Sequence, residues 1–372
     1  MKIGMFGLWG MNVPGVSFGG FETGFSEIAP RLVEKGHEVT IFCRKHAYPA
    51  DKRLQSYKGV RLFYVPSTDD KNFANITTTL RALGYSFLQD EFDIYFFVNI
   101  GVGFHCLLAK LFGKTVILNV NGLDWKRAKW GFIAKAYFRL AAEAAIACCD
   151  SLVTDAKAMQ DFYLDAFYKE SEFIAYGAYV ENSTNSSLVK NYGVEPHEYY
   201  LIASRLIPEN NADLIISAFE KLETDKKLLV AGGANYDSPF HQQLMQTQDT
   251  RICFTGHIDA AEVIKELHCN CYAYLHGHSV GGTNPALLKA LGYSNCIVAL
   301  NTPFNAEVLQ DEYGLLFERE IDDLLDKLHF IESHPEAAQQ LRSKAPNRIR
   351  EAYTWGAVAA EYETLFQKFC NP

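Results

Sequence analysis

The sequence predicts an α/β protein with two doubly wound domains, and three observations support this prediction. The 372 residues exceed what one hydrophobic core usually supports, so two domains are expected. Hydrophobic residues make up 48% of the chain and charged residues 21%, which is the balance of an ordinary globular protein. Short apolar strands alternate with helical patterns in both halves, which is typical of parallel sheets covered on both faces.

The first half carries one such series. A helix is expected to begin at Phe21 and end at Gly36, because apolar residues such as Ile28 and Leu32 recur on one stripe. The most apolar stretch, 92–120, contains charged residues and fits strand–helix–strand better than a membrane span. The N-terminus is too short and interrupted for a signal peptide. The expected strands are 3–6, 39–43, 60–65, 94–98, 116–120 and 151–154.

The second half repeats the pattern after a polar segment at 181–197, which we interpret as the linker. We expect a helix at 211–222 and final helices at 321–331, 335–350 and about 354–369. The expected strands are 199–203, 227–231, 252–255, 271–275, 297–300 and 314–317. Two such halves facing a cleft would place ligands at the carboxyl ends of the strands.

Charge and cysteine usage exclude several classes of function. The net charge of −9 argues against a general nucleic-acid-binding protein, which would normally be basic. The nine cysteines are an odd number and form no Cys-x-x-Cys pair. They therefore indicate buried free thiols in a reducing cytoplasm rather than a disulfide or zinc framework.

The stretch 276–288 carries the strongest functional pattern. An apolar strand leads into Gly281 and Gly282, and Asn284 with Pro285 then opens an apolar helix. Asn is a favoured helix cap and Pro a favoured first helical residue. Glycines let the backbone approach a ligand, and a helix N-terminus attracts anions. The pattern predicts a site for the diphosphate of a nucleotide sugar; a plain tight turn is the alternative.

The glycine-rich loop 7–23 also follows an expected strand. Its length exceeds that of a plain strand–helix turn, so we interpret it as a ligand lid. Its spacing does not fit a dinucleotide-binding Gly-x-Gly-x-x-Gly. The stretch 113–115 is no phosphate-binding loop either, because position 108 is Leu108 rather than glycine.

The loop 119–130 combines three cations and two tryptophans directly after an expected strand. This composition fits an anion clamp beside an aromatic surface. Such a clamp would suit an acceptor with a phosphate, or a lipid phosphate at a membrane face. The alternative is a solvated helix start against which the tryptophans pack.

The loop 203–211 follows the first strand of the second half and contains Arg205. A guanidinium at this place can form two hydrogen bonds with a diphosphate in the cleft. An ordinary surface arginine is the alternative.

Together these residues resemble the GT-B glycosyltransferases of family four. The resemblance is strongest to the bacterial rhamnosyltransferase-like branch, which acts on lipid-diphosphate-linked sugars. It extends over almost the whole chain. The segments that carry it are 18–23, 122–130, 176–178, Arg205 with 208–211, and 276–285.

The resemblance implies a role for each domain. Residues 1–182 would be a Rossmann-like domain that binds the acceptor, and 183–352 a Rossmann-like domain that binds the nucleotide sugar. Residues 353–372 would form a helix that crosses back to the first domain. The fold implied is GT-B, with the two domains facing a cleft.

The resemblance also implies site residues. Arg205 would hold the leaving diphosphate, while Glu22 and His278 would position donor or acceptor as catalytic candidates. The implied donor-binding residues are Gly19, Gly20, Arg205, Asn210, His276, Gly281, Gly282, Thr283, Asn284, Lys289 and Glu307. The implied acceptor-binding residues are Asn121, Asp124, Trp125, Lys126, Arg127 and Lys129. No metal or cofactor is expected, because an arginine and a helix dipole can stabilise the departing charge and no Asp-x-Asp motif is present.

Two positions depart from the family pattern. Lys289 stands where a carboxylate usually contacts the nucleotide ribose, and a cation cannot accept hydrogen bonds from ribose hydroxyls. It could instead bind a phosphate, or the site could be degraded. Asn121 stands where the branch usually has Asp, so an acid–base role there is lost. Glu307 is a candidate substitute for the ribose contact.

The resemblance implies a retaining hexosyltransferase that moves a sugar, expected to be rhamnose from dTDP-rhamnose. The acceptor would be a lipid-linked or growing cell-surface saccharide, and the protein would act in polysaccharide biosynthesis. It would be cytoplasmic, peripheral at the inner face of the plasma membrane. One alternative is a transferase that uses another UDP or GDP sugar. Another is a catalytically inactive sugar-nucleotide-binding subunit of a polysaccharide assembly complex.

Overall fold

The computed structural model describes residues 1–68, 74–89, 91–120, 125, 131–233 and 238–370. The chain divides into two compact units: unit 1 is Met1–Tyr176 with Trp355–Pro372, and unit 2 is Gly177–Thr354. This division comes slightly before the boundary expected at 182. The reason is that the residues after Tyr176 pair with unit 2, where the Glu181 amide donates to the Gly292 carbonyl at 3.1 Å.

Unit 1 is built on an eight-stranded sheet with the order β3-β4-β2-β1-β5-β6-β7-β8. The strands are β1 Lys2–Phe6, β2 Glu38–Arg44, β3 Ser56–Tyr57, β4 Val60–Val65, β5 Ile94–Val98, β6 Val116–Val120, β7 Ser151–Thr154 and β8 Glu172–Phe173. The six strands predicted for this half are all present. The sequence did not predict β3 and β8, because two residues are too few to show a hydrophobic period.

Only one pair of neighbouring strands in this sheet is antiparallel, so the expectation of a parallel sheet holds except at its edge. β3 pairs with β4 in antiparallel register. Lys58 and Gly59 form the turn between them with φ of 49° and 79°. Two successive positive φ angles are what a tight two-residue hairpin requires.

Helices cover this sheet, and the last helix of the chain belongs to the same unit. Numbered along the chain, they are α1 Gly20–Glu34, α2 Ala74–Gln89, α3 Gly103–Leu111, α4 Phe132–Cys148, α5 Lys157–Phe167 and α13 Trp355–Cys370. α13 is anchored by its buried face. Tyr362 packs against Phe96 with ring centroids 5.6 Å apart, and its hydroxyl accepts a 2.7 Å hydrogen bond from the Asn119 amide.

Unit 2 has a six-stranded, wholly parallel sheet with the order β11-β10-β9-β12-β13-β14. Its strands are β9 Tyr199–Ala203, β10 Lys227–Ala231, β11 Ile252–Gly256, β12 Ala273–His276, β13 Ile297–Leu300 and β14 Leu315–Phe317. Its helices are α6 Ala212–Lys221, α7 Pro239–Leu244, α8 Ala261–Cys269, α9 Pro285–Gly292, α10 Pro303–Leu309, α11 Ile321–Ser333 and α12 Pro335–Ala352. This is the doubly wound arrangement that the sequence predicted.

The largest difference from the predicted strands concerns β12, which begins at Ala273 rather than at 271 and continues to His276. The cause lies in α12. The Arg342 guanidinium donates hydrogen bonds to the carbonyls of Cys269 and Cys271. The carbonyls before Ala273 therefore bond to the Arg342 side chain, although the Tyr272 amide still donates to the Tyr199 carbonyl of β9 at 2.6 Å.

Two further expectations concern membrane spans and cysteines. Within the described ranges, no helix is both long and apolar enough to cross a membrane. All nine cysteines are free, and most are buried. Burial raises the pKa of thiols such as Cys43 and Cys296 to about 12, so these two are inert core residues.

Candidate active site at the strand ends

Unit 2 has a natural ligand position where its strand order reverses. Counted from β9 within this unit, the order is 3-2-1-4-5-6, because β9 lies between β10 and β12. In sheets of this kind the connections leave β9 and β12 in opposite directions, which opens a crevice at the carboxyl ends of the strands. The Arg205 loop follows β9, and the 277–284 loop follows β12. The topology thus brings two of the sequence-predicted segments to one place.

The Arg205 loop is held by a neighbouring amide. Asn210, which is buried, donates through Nδ2 to the Arg205 carbonyl at 2.8 Å. Arg205 itself is exposed, and no described residue forms a hydrogen bond or ion pair with its guanidinium. Asn210 therefore positions the loop, while the guanidinium stays available for an oxyanion.

The two loops are joined through main-chain groups. The Ser279 amide and hydroxyl both donate to the Glu209 carbonyl, at 3.0 and 2.8 Å. The Asn211 side chain donates through Nδ2 to the Gly277 carbonyl at 2.7 Å. A Cβ at Gly277 would collide with the Asn210 carbonyl, so only glycine fits there. The loops form one connected platform.

Two stacked histidines lie on this platform. His276 is fully buried at the end of β12, and a 3.2 Å hydrogen bond links its Nδ1 to the Tyr274 hydroxyl. Its ring stacks on that of His278 with centroids 4.2 Å apart. Within the described structure, His276 Nε2 and His278 Nδ1 are buried without hydrogen-bond partners. Unpaired buried nitrogens are costly, so a ligand group that bonds to them would be favoured.

The environment keeps both imidazoles neutral. Burial and, to a smaller extent, the nearby Arg205 charge lower the pKa of His278 to about 4. Burial also lowers the pKa of His276 well below its ordinary value, with His278 and His268 adding to the effect. At neutral pH neither ring is a cation. His278 can donate or accept a hydrogen bond there, but it cannot act as an imidazolium acid.

The helix after this loop begins as the sequence predicts. Asn284 accepts a hydrogen bond from the Ala286 amide at 2.9 Å, and Pro285 is the first residue of α9. Gly281 has a φ of +134°, and nothing lies within 4 Å of where its Cβ would be. Thr283 is buried, and Gly282 is partly exposed. The backbone before α9 therefore faces open space at a helix N-terminus, as an anion site needs.

Lys289 and Glu307 lie farther along the helices. Lys289 is an exposed residue of α9. Desolvation lowers the pKa of its amine, and the Glu181 charge opposes this shift. Glu307 lies on α10, and its carbonyl accepts a hydrogen bond from Arg348 at 3.1 Å. The Glu307 charge also helps raise the pKa of Tyr353. The ribose contacts expected of these residues remain predictions.

In unit 1, Glu22 has a clear structural role. Glu22 lies three positions after Gly19, the N-cap of α1. Its Oε1 accepts a hydrogen bond from the Trp9 amide at 3.0 Å. A glutamate at this position commonly bonds back to the amides at the start of its helix. Burial raises the pKa of Glu22, while backbone hydrogen bonds and Arg44 oppose the shift. Gly20 is the exposed first residue of α1.

The long loop before α1 is fastened by one asparagine. The Asn12 side chain accepts a hydrogen bond from the Phe18 amide through Oδ1 at 2.9 Å. Its Nδ2 donates a hydrogen bond to the Thr23 hydroxyl at 3.2 Å. The Asn12 amide donates to the Ser26 hydroxyl at 2.8 Å. In this structure the segment predicted to be a lid is therefore pinned to α1.

Sequence reasoning missed Arg44, the last residue of β2. It is 3% exposed, its guanidinium lies 4.3 Å from the centre of the Trp9 ring, and its amide donates to the Trp9 carbonyl at 2.8 Å. Burial lowers its pKa to about 10, and Glu22 opposes that shift, so it stays charged. No hydrogen-bond acceptor for the guanidinium occurs among the described side chains. The available signal was the cation pair of Arg44 and Lys45 at the end of an apolar strand.

Of the six predicted acceptor-binding residues, the structure describes Trp125 alone. Asn121, Asp124, Lys126, Arg127 and Lys129 lie outside the described residues. Trp125 is partly buried, and its ring lies 6.4 Å from that of Phe162 and 6.3 Å from that of Phe167. Their roles in acceptor binding remain predictions.

The described part of the chain contains no group of three or more His, Cys, Asp or Glu side chains that could hold a metal ion. The groups available at the unit 2 platform are a guanidinium, main-chain amides and neutral imidazoles. Such groups bind oxyanions and sugar hydroxyls through hydrogen bonds.

Comparison with known families agrees with this chemistry. Residues 188–348 match the family described as Glycosyl transferases group 1. Residues 5–179 match a domain of unknown function, DUF1972. No curated protein matches the chain significantly.

Similar solved structures cover both units. A sucrose-phosphate synthase from Thermosynechococcus elongatus aligns with a TM-score of 0.81 at 15% identity, covering 99% of this chain and 98% of that one. Anabaena Alr3699/HepE in complex with UDP-glucose aligns with a TM-score of 0.77 at 14% identity, covering 99% and 100%. WaaG, a glycosyltransferase involved in lipopolysaccharide biosynthesis, aligns with a TM-score of 0.73 at 14% identity, covering 100% of each chain. The chain therefore has the GT-B fold, and its residues 188–348 match the Glycosyl transferases group 1 family.

Proposed function

We propose that this protein is a nucleotide-sugar-dependent glycosyltransferase whose donor diphosphate binds at the unit 2 platform. The observation that carries the proposal is the junction of the Arg205 and 277–284 loops at the strand-order reversal of a group 1 domain. An unpaired guanidinium, an open glycine backbone and a capped helix start meet there. Each of these features favours a bound oxyanion.

The reaction follows from that placement. The bond between the anomeric carbon and the diphosphate oxygen breaks, and a bond from that carbon to an acceptor hydroxyl oxygen forms. The hydroxyl proton passes to a phosphate oxygen of the departing diphosphate, which carries the remaining negative charge. Arg205 and the amides of Gly281–Thr283 would stabilise that charge without a metal. Neutral His278 would hold a sugar or acceptor hydroxyl by a hydrogen bond.

For the donor, we propose a deoxyhexose nucleotide such as dTDP-rhamnose, transferred with retention of anomeric configuration. Support for a nucleotide sugar comes from HepE, which has been crystallised with UDP-glucose. The preference for rhamnose rests on the sequence resemblance. We further propose a lipid-linked or growing cell-surface saccharide as acceptor, and action on the cytoplasmic side of the membrane. A UDP or GDP sugar is the competing donor.

A binding subunit without catalytic activity is the second candidate function. The presence of Lys289 favours this second candidate, because an amine occupies the position where the family pattern has a ribose-binding carboxylate. If this change is a defect, Lys289→Glu should raise nucleotide affinity. If the amine binds phosphate, the same change should lower that affinity. Isothermal titration calorimetry with dTDP distinguishes these outcomes.

The test of the main proposal is a thermal-shift panel of dTDP, UDP and GDP with their sugars, followed by turnover assays. We expect one nucleotide class to stabilise the protein and its sugar to be transferred to a lipid extract. Stabilisation without transfer or donor hydrolysis would support the binding subunit. No stabilisation by any nucleotide would refute both functions.

A further inference from the structure

Arg44 of unit 1 is a buried cation that lacks a hydrogen-bond acceptor among the described residues. It is 3% exposed, and its guanidinium forms neither a hydrogen bond nor an ion pair with any of them. Glu22 is the nearby carboxylate, but its Oε1 accepts the hydrogen bond of the Trp9 amide instead. A buried charge without a partner is costly, because nothing replaces the hydrogen bonds that water gives it. An anion bound to Arg44 would remove this cost.

Arg44 lies at the edge of the unit 1 sheet where ligands are expected. It is the last residue of β2, and Trp9 belongs to the loop after β1. β1 lies between β2 and β5, so the strand order reverses at β1. The loop after β1 runs close to the end of β5, because a Cβ at Gly7 would collide with the Val98 carbonyl. Ligands of α/β sheets bind at the carboxyl ends of the strands beside such a reversal.

The guanidinium keeps its donor edge available. Arg44 Cζ lies 4.3 Å from the centre of the Trp9 ring, which is the distance of a cation–π contact. Within the described structure, Nε is fully enclosed without a partner, whereas the two terminal nitrogens are not fully enclosed. Terminal nitrogens of this kind donate side by side to two oxygens of a carboxylate or phosphate. The stacked indole therefore leaves the guanidinium able to bind an oxyanion.

Trp9 adds a fixed aromatic surface beside this cation. Its amide donates to Glu22 Oε1 at 3.0 Å, and its carbonyl accepts from the Arg44 amide at 2.8 Å. Its side chain is 46% exposed, and its ring centre lies 6.3 Å from that of Phe18. Aromatic side chains with a few placed polar groups are the usual lining of small-molecule sites. The exposed part of the indole can contact the C–H groups of a sugar ring.

The residues at the end of β2 also concentrate positive charge in an acidic chain. Arg44, Lys45 and His46 are consecutive, whereas the whole chain has a net charge of −9. Lys45 is exposed and forms no ion pair with a described residue. An exposed amine attracts anions from solvent, and a guanidinium next to it can then hold them by paired hydrogen bonds.

We propose that Arg44 and Trp9 form a subsite for an acidic saccharide, one that carries a carboxylate or a phosphate group. The terminal nitrogens of Arg44 bind the oxyanion, Lys45 adds attraction, and the Trp9 ring contacts the sugar. The subsite lies apart in sequence from the acceptor loop predicted at 121–129. As a statement about the acceptor, the inference rests on the proposed function, but binding itself requires neither donor nor transfer.

The test is isothermal titration calorimetry of the full chain with methyl glucuronide, glucose 6-phosphate and neutral methyl glucoside. Arg205→Ala is the parent protein, so that the oxyanion site proposed in unit 2 does not contribute. We expect at least one acidic saccharide to bind about tenfold more tightly than the neutral one, and the tighter acid identifies the anion. Arg44→Lys keeps the charge but loses the paired donors, so it should lose this preference. Arg31→Lys is the matched control and should keep it, because Arg31 already pairs with Glu27 at 2.8 Å.

Tryptophan fluorescence provides a readout that does not depend on the folding of the Arg44 variant. Binding of the acidic saccharide should change the emission, and Trp9→Phe, at a half-exposed position, should abolish that change. Equal binding of acidic and neutral saccharides, no binding of any, or an unaltered preference in Arg44→Lys would overturn the subsite. Stabilisation by a nucleotide without binding of an acidic saccharide would refute the subsite alone. Binding of an acidic saccharide without stabilisation by any nucleotide would refute the proposed function and leave the subsite standing.

Discussion

At the scale of single residues, Arg205 is the main candidate for binding the donor diphosphate. Its carbonyl accepts a hydrogen bond from Asn210, and its charge helps lower the pKa of His278. The sequence could predict this residue because a cation that directly follows an apolar strand stands at the ligand edge of a parallel sheet. Arg44 has a similar position at the end of β2, yet its importance emerges only from the burial that tertiary packing imposes.

We expect Arg205→Ala to lower the rate of sugar transfer by about a hundredfold to a thousandfold. The physical reason is the loss of one strong donor to the charge that develops on the diphosphate. Steady-state kinetics with the identified donor measures this effect. Arg319→Ala is the control, because it removes another exposed arginine of unit 2. Near-normal turnover by Arg205→Ala would remove that residue from the site.

Two substitutions of Glu22 distinguish a role in positioning the loop from a role in catalysis. Glu22→Gln keeps an oxygen that can accept the Trp9 amide, so we expect little change in thermal stability. Glu22→Ala removes the acceptor and should destabilise unit 1 by about 1 kcal/mol, as loss of a helix cap does. If Glu22 only positions the loop, the Gln variant keeps most of its activity. Inactivity of the well-folded Gln variant would establish a catalytic carboxylate.

At the scale of elements, the sequence predicted strands best where apolar runs are long and continuous. β4, β5, β6, β7, β9, β10 and β13 have the expected bounds. The short β3 and β8 were missed, and β12 begins two residues later than predicted, after carbonyls that the Arg342 side chain of a distant helix binds. Local patterns could not predict these details, because long-range contacts determine them.

Replacing glycine by alanine should have opposite effects at the junction of the two site loops and at a control position in α2. Gly277→Ala forces a methyl group into the Asn210 carbonyl, so we expect a loss of about 1–3 kcal/mol in the stability of unit 2. Gly84→Ala lies in the exposed interior of α2 with open space around it and should stabilise by about 0.5–1 kcal/mol. Urea unfolding curves measure both changes. A neutral Gly277→Ala would show that the loops are not tightly joined.

At the scale of the whole molecule, the sequence predicted two units but not the order of their strands. Composition and alternation indicate doubly wound domains, whereas strand order depends on which edges meet after folding. That order matters for function, because it alone brings the β9 and β12 loops together. The residues after Tyr176 show the same limit, since their pairing with unit 2 depends on a contact with the distant Gly292.

The buried histidines predict how stability depends on pH. An unfolded histidine titrates near 6.5, whereas burial lowers the pKa of His268 and His278 to about 4 in the folded protein. Between these values the unfolded chain binds protons that the folded chain does not. The unfolding free energy should therefore fall as pH decreases from about 6.5 to about 4. Thermal midpoints across this range should show the decline, and His268→Asn should reduce its slope.

The central claim is that the diphosphate of an activated sugar binds where the Arg205 loop meets the start of α9. A crystal structure of the protein with dTDP, or with whichever nucleotide stabilises it most, tests this directly. We expect phosphate oxygens within hydrogen-bond distance of the Arg205 guanidinium and of the amides of Gly281–Thr283. A nucleotide bound elsewhere, with Arg205 turned away from its phosphates, would contradict the account.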